Sequence, residues 1–314
     1  MSQSWASYRS ITNVEELNEY VRHAPQPMQV FAALCNPPTG KALGLKKGDT
    51  CVYTYYPDMS DTGGELVENE PIPQGSVTPI RATYTLKEYG HAIPFTGLLE
   101  ELSRLDPEDD FIVALINDMR KMENRLAFEQ FDLTDWQVAF NSTADEFVTN
   151  GTLTSASDEQ LTFANLRFVV RNAMDQNIPP FDGEQYVFVT GVTSMDALIF
   201  DNTVTTAVQQ QAGSSALNGE VGSLAGCRLF RDNHQIDVVG GTSSGAGLLL
   251  DEGFLIGADA VQREIALAPE LRGEDSDFGR QASVAHYQIG SWHKILDQTT
   301  HSREHIIKVS SAQS

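Results

Sequence analysis

Between Asp106 and Asp132, apolar residues recur at Phe111, Ile112, Leu115, Ile116, Met119, Met122 and Leu126. Steps of three and four put them on one side of a helix. Asp106 followed by Pro107 supplies an N-cap and a proline in the first turn. The spacing predicts a helix from 107 to about 131, on the order of 37 Å long at ~1.5 Å per residue. Its methionines fall within the apolar stripe and read as packing residues, not as a cofactor box.

Elsewhere the period is two. CVYTYY (51–56) reads as a strand, and residues 80–89 alternate, with Tyr84 and Leu86 on one side and Thr85 and Lys87 on the other. Tyr89-Gly90-His91 interrupts that alternation, which predicts a strand end bent at Gly90 and leaves open whether Gly90 takes the positive φ that only glycine adopts freely. Between the two strands lies DMSDTGGELVENEPIPQGSVTP, which carries Asp58, Asp61, Glu65, Glu68 and Glu70 and no Lys or Arg. Loops of this length in compact domains are functional or disordered. The flanking strands favour a long two-stranded extension over a solvated insertion.

The chain opens with a short helical pattern from Asn13 that ends before Pro25. MQVFAALC follows and stops at Pro37-Pro38. These pieces read as an arm with no core of its own. After the long helix come a polar connection (141–160), a helix (162–176), a strand at YVFVTG and a helical pattern over 193–210. Strands then follow at CRLF, QIDVVG, LLLDEGFLIG and EIALA, a turn at GEDSDFGR, and strands at SVAHYQIGSW and EHIIKVS. The order is α+β, with early and late strands pairing. No internal repeat is visible.

Charge narrows the function. The net charge is −22, from 21 basic and 43 acidic side chains. A face that grips phosphates needs surplus Lys and Arg, so nucleic-acid binding through the backbone and attachment to an anionic membrane are both disfavoured. Surplus acid favours solubility. Cys35, Cys51 and Cys227 are odd in number and lack zinc-ligand spacing, which points to a reducing, cytoplasmic site of synthesis. MSQSWASYRS has no apolar signal core, and GLLLDEGFLIGADAV is broken by Asp251, Glu252 and Asp259, so no membrane span is expected.

Candidate chemistry is thin. Gly241-Thr-Ser243-Ser-Gly245 matches a nucleophile-elbow spacing, but a strand-like run follows where the motif requires a helix. His301-Ser-Arg-Glu304-His305 matches a metalloprotease spacing, which works only when both histidines share a helix face; here polar DQTT precedes it and β-branched IIKVS follows. Asp275 and Asp277 begin a calcium-loop pattern without its remaining ligands. Asn141 and Asn150 begin glycosylation sequons, which carry little weight without a signal peptide. His91, beside a glycine, has no identifiable nucleophile, carboxylate or ligand partner. No phosphate-binding loop or dinucleotide fingerprint is present. No catalytic residue, cofactor or metal is assigned.

Six stretches in order carry a resemblance: KKGDTCVYTYY with its acidic loop, YTLKEYGHAIPFTGLLEEL, the helix after Asp106, NGEVGSLAGCRLF, EGFLIGADAV and DFGRQASVAHYQIGSWHKIL. Together they resemble the major capsid proteins of tailed bacteriophages, in the branch found in short-tailed phages, from about residue 20 to the end. The resemblance implies an α+β, Hong Kong 97-type fold. Residues 1–45 would form an N-terminal arm, 46–80 an extended loop, 81–145 with 281–314 a peripheral domain built on a long spine helix, and 146–280 an axial domain. The strand at 281–290 would pair near 80–89.

It implies a structural, non-enzymatic protein that self-assembles as hexamers and pentamers into an icosahedral shell around a dsDNA genome. Scaffold, portal and decoration proteins would be partners, the virion its location, and the host cytoplasm its place of synthesis. Some relatives crosslink through a loop lysine; with none between Lys47 and Arg81, no such bond is expected. Many carry Glu-Gly near the loop tip, where this chain has Glu68-Asn69. The acidic loop residues Asp58, Asp61, Glu65, Glu68 and Glu70 are expected to dock on Arg120, Lys121 and Arg125 of a neighbouring copy. Two rivals stay open: an encapsulin-type compartment shell, and a hydrolase using His301/Glu304/His305 with a metal or Ser243 as nucleophile.

Overall fold

The computed structural model describes residues 29–38, 50–57, 59, 65, 72, 75–103, 107–154, 157–201, 220–233 and 250–312. The helical pattern at Asn13 and the QIDVVG strand lie outside them.

Helix α1 (Phe31–Leu34) leads to β1 (Thr50–Tyr55) and β2 (Ile80–Thr85), which pair antiparallel with Tyr55 opposite Ile80. This is the two-stranded extension expected from the alternation. β3 (Lys87–Thr96), α2 (Gly97–Leu102) and the 26-residue α3 (Pro107–Asp132) follow. Then come β4 (Gln137–Ala139), β5 (Glu146–Val148), α4 (Phe163–Asp175), β6 (Tyr186–Thr190) and α5 (Val192–Phe200). β7 (Glu220–Leu224), β8 (Cys227–Arg231), β9 (Leu250–Ile256), β10 (Val261–Ser276), β11 (Gln281–Lys294), α6 (Gln298–His301) and β12 (Ile306–Ala312) complete the described chain.

A seven-stranded mixed sheet, ordered β5-β4-β12-β9-β6-β8-β7, carries two hydrophobic layers. Every residue of central β6, Tyr-Val-Phe-Val-Thr, is buried, as an apolar run covered on both faces should be. Tyr186 and Phe188 face a cluster with Leu166, Val169 and Ala173 of α4 and Leu198 of α5. Val187 and Val189 face the opposite cluster, with Phe31, Ala127 and Phe131 of α3, and Trp292. Thr162 caps α4 by accepting a hydrogen bond from the Asn165 amide at 3.3 Å.

A separate three-stranded sheet, β10-β11-β3, packs against the first half of α3. Phe95, Leu99, Phe111, Leu115 and Val284 form its core. The predicted stripe thus serves two layers: Phe111 and Leu115 here, Leu126 and its neighbours at the seven-stranded sheet. The segment at 29–38 is tied in by Asn124 Oδ1, which accepts from the Ala32 amide at 3.2 Å, and by Asn36, which donates to Asp259 at 2.8 Å.

Two sequence expectations are corrected. GEDSDFGR is not a turn throughout: β10 runs through Ser276, which pairs with Gln281, and only Asp277–Gly279 turns. Residues 271–278 are all exposed, so no apolar face marked this half-ribbon as strand. The second correction concerns Gly90. The strand break falls at Leu86, and β3 continues straight through Gly90, whose φ lies outside the left-handed region. Glycine is required there for space, because a Cβ would stand 2.7 Å from the His286 carbonyl oxygen across the ladder. Gly90→Ala must push β3 off β11 and should cost about 1–3 kcal/mol in chemical denaturation of the subunit. A change within ~0.5 kcal/mol, the usual surface effect, would remove the close-approach account.

Candidate functional site

The H-x-x-E-H spacing lies on α6 and the turn that follows it, not along a helix. His301 ends α6, Ser302 is left-handed at φ 53°, and Glu304 and His305 belong to the extended lead into β12. Glu304 is fully buried, and both its oxygens are taken. One accepts from Lys294 Nζ at 2.6 Å and the Gln298 amide at 3.2 Å. The other accepts from the Thr134 hydroxyl and from the Asp135 amide at 3.0 Å. Lys294 also donates to the Leu133 carbonyl at 2.9 Å. His301 accepts the Asp297 amide at 3.2 Å and lies edge-on to Tyr55, while His305 donates to the Ala258 carbonyl at 2.6 Å. The three side chains serve three separate contacts, and among the described residues no three His, Cys, Asp or Glu side chains are arranged to hold a metal ion. Asp277 meets Arg280 at 3.5 Å, and Asp275 lies within β10. Ser243 lies outside the described residues.

Of the acidic loop, Glu65 is exposed, while Asp58, Asp61, Glu68 and Glu70 lie outside the described residues. On α3, Lys121 and Arg125 stand one turn apart and line one pocket of about 460 Å³; Arg120 is exposed but does not line it. The pocket's other walls are Gly90, His91, Asp118, Met122 and His286. Arg125 makes only a loose 3.7 Å pair with Glu129, both exposed.

The pocket floor contains what the sequence reading missed. His91 of β3 and His286 of β11 are cross-strand partners, and both meet the same oxygen of Asp118 on α3. His91 Nδ1 lies 2.8 Å and His286 Nε2 3.3 Å from that Oδ2. Burial pushes the Asp118 carboxyl up, but hydrogen bonds from His91 and His286 outweigh it and hold the group below its ordinary value. No serine, threonine or cysteine lines this pocket, so the arrangement offers proton exchange and anion binding but no nucleophile. In the sequence His91 stood without a partner because Asp118 lies on another element and His286 is 195 positions away.

A second histidine is structural. His293 stacks on Tyr84, ring centroids 3.8 Å apart, and Tyr84 donates to the Lys294 carbonyl at 2.7 Å. These contacts root the β1–β2 ribbon on β11. Burial pushes the His293 imidazole down to about 4.

No family model matches the chain, and no curated protein matches its sequence. Its structure is similar to solved phage capsids across nearly its whole length. The capsid of Cyanophage Pam1 matches with a TM-score of 0.74 at 16% identity, covering 97% of each chain. The capsid of Ralstonia phage GP4 matches at 0.71 and 12% identity, covering 97% of this chain and 96% of that one. The acid-stable capsid of Helicobacter pylori bacteriophage KHP30 matches at 0.66 and 12%, covering 97% and 98%. The chain therefore has the α+β fold of phage capsid subunits, the Hong Kong 97-type fold.

Two outcomes follow from the buried groups. Glu304→Ala leaves the buried Lys294 ammonium with only the half-exposed Asp297 carboxylate, 3.3 Å away, and should cost about 3 kcal/mol in denaturant unfolding, whereas Glu304→Leu with Lys294→Met should cost far less. The unassembled subunit should also lose stability on acidification. His293 stays neutral in the folded state down to pH 4 but charges near 6.5 when unfolded, so its contribution is intact above 6.5 and drains away towards pH 4. Over that window it amounts to roughly 3 kcal/mol. His293→Gln should flatten that part of the pH–stability curve; an unchanged slope would count against the assignment.

Proposed function

We propose that this chain is the major capsid protein of a tailed, short-tailed-type bacteriophage, whose copies assemble as hexamers and pentamers into an icosahedral shell around dsDNA. The observation that carries this is the fold match covering 97% of both chains against a capsid subunit. The subunit itself supports it. The β1–β2 ribbon is rooted by Tyr84 but leaves Val52 and Tyr56 exposed, and residues 271–278 on the β10 side of the outer ribbon are exposed and end in a fully exposed Phe278. Exposed apolar side chains on arms without a core of their own suit burial by other copies.

In this reading residues 1–45 are the arm, 46–80 the extended loop, 81–145 with 281–314 the peripheral domain, and 146–280 the axial domain. The protein is not an enzyme, and the virion is its location after synthesis in the host cytoplasm. Scaffold, portal and decoration proteins are its partners. The net charge of −22 suits a lining from which DNA must later leave. An encapsulin-type shell shares the fold, and cargo enzyme in place of DNA or scaffold would identify one.

The acidic loop, with Asp58, Asp61, Glu65, Glu68 and Glu70, docks on Arg120, Lys121 and Arg125 of the adjacent subunit. Each exposed pair contributes only ~0.2–1 kcal/mol, so the effect comes from a network repeated around each ring. Co-expression with a candidate scaffold should yield closed icosahedral particles by electron microscopy. Reversing Glu65 and Glu68 to Lys should impair assembly at low salt. A normal yield of closed shells from the double variant would exclude the docking.

A further inference from the structure

The free side of a surface helix is ordinarily polar, and the free side of α4 is not. Phe163, Arg167, Phe168, Arg171 and Met174 recur there at helical spacing and, with Ala225 of the β7–β8 turn, line a groove of about 510 Å³. Met174 is 58% exposed. No carboxylate lines the groove. Arg167 lies over the Phe163 ring at 5.9 Å and Arg171 over Phe168 at 5.4 Å, and neither forms an ion pair among the described residues. The Asp201 carboxylate, at the end of α5, is turned to the Phe163 amide at 3.0 Å. The groove is therefore apolar inside and cationic at its rim.

The chain carries a complementary shape elsewhere. Between β10 and β11 the backbone turns through Asp277 and Phe278, at φ 49° and 58°. A bulky residue in the left-handed region is an outlier, because glycine turns there without cost. The turn nevertheless holds a phenylalanine, the most exposed large apolar side chain among the described residues. Leu271 on the same ribbon is 45% exposed.

Acids surround this knob. Glu274, Asp275 and Asp277 are all exposed, and Asp277 is only loosely paired with Arg280 at 3.5 Å. Arg272 is engaged by Glu270 and lies over Tyr287. An aromatic knob among carboxylates on one surface thus answers an apolar groove between arginines on another. The two cannot meet within one copy as folded, because Phe278 is fully exposed there.

We propose that the β10–β11 tip of one copy docks in the α4 groove of a second, with the Phe278 ring seated against Phe163, Phe168 and Met174 and the tip carboxylates facing Arg167 and Arg171. That the occupant is a second copy rests on the assembly proposed above; the pairing of these two surfaces is the new element. The surfaces differ, so the contact is heterologous and passes from copy to copy, as a closed ring requires. Burial of the ring supplies the affinity, and the exposed charges set orientation and salt dependence.

The test places a photo-reactive benzoylphenylalanine at position 278 of the full-length chain, co-expressed with a candidate scaffold. After irradiation, mass spectrometry should find it joined to residues 163–174 of a second copy. Crosslinks confined to other segments, or to a different protein, overturn the proposal, and closed shells in the same sample would leave the capsid reading standing. Failure of the wild-type chain to form closed shells would overturn both. Phe278→Gly keeps the left-handed turn, so the subunit should stay folded while its self-association, followed by sedimentation, weakens roughly tenfold or more, the scale of an aromatic anchor. Unchanged association in that variant overturns the anchor. Arg167→Glu with Arg171→Glu should weaken association as well, and adding Glu274→Lys with Asp275→Lys should restore part of it. No recovery in the fourfold variant overturns the charge pairing.

Discussion

The buried Glu304–Lys294 pair joins the two sheets. Lys294 closes β11 of the three-stranded sheet, and Glu304 leads into β12 of the seven-stranded sheet. Their remaining hydrogen bonds reach Leu133 and Thr134 past the end of α3, the Asp135 amide before β4, and Gln298 at the start of α6. A charge with no access to water tolerates little displacement of its partners. The pair thus ties the end of β11, the lead into β12 and the end of α3 at one point, while hydrophobic packing on either side supplies the cohesion.

The same economy governs the other bases. Arg263 is held by Glu123, and Lys308 by both Asp132 and Glu252, so basic side chains tie α3 to the strands around it. Burial works against the Lys308 ammonium, but the two carboxylates outweigh it and raise its affinity for its proton. With 21 bases against 43 acids, cations spent on internal ties are not available to the surface. The Lys121–Arg125 rim is an exception, because Arg125 is only loosely engaged by Glu129.

Much of the fold was legible along the chain. The α3 stripe spans seven apolar positions behind Pro107, so local and tertiary preferences agree, while the Asp106 cap lies outside the described residues. The strand at YVFVTG and the helix over 162–176 are equally local signals, found as β6 and α4. Legibility failed where the cause was distant. Arg272-Gly-Glu-Asp-Ser276 forms strand only because Ala282–Ala285 pairs with it, and its composition reads as turn. Gly90 is dictated by a carbonyl on β11, not by its own backbone angle. The His91–Asp118–His286 cluster needs three elements brought together, and no spacing rule spans them. In the H-x-x-E-H stretch the residue types were noticed but the helix was missing, and the glutamate turned inward to a lysine.

The long helix touches both sheets, the first half through Phe111 and Leu115 and the second through Ala127 and Phe131. At ~1.5 Å per residue its 26 residues make a rod of about 39 Å. Both halves of the rod are packed, and its C-terminal end lies at the Glu304–Lys294 joint. Over that length, a tilt of one degree at the joint would displace the far end by about 0.7 Å. Small angular adjustments at the joint thus become displacements on the scale of a packing contact, which gives identical chains a mechanical route to occupying unequal surroundings.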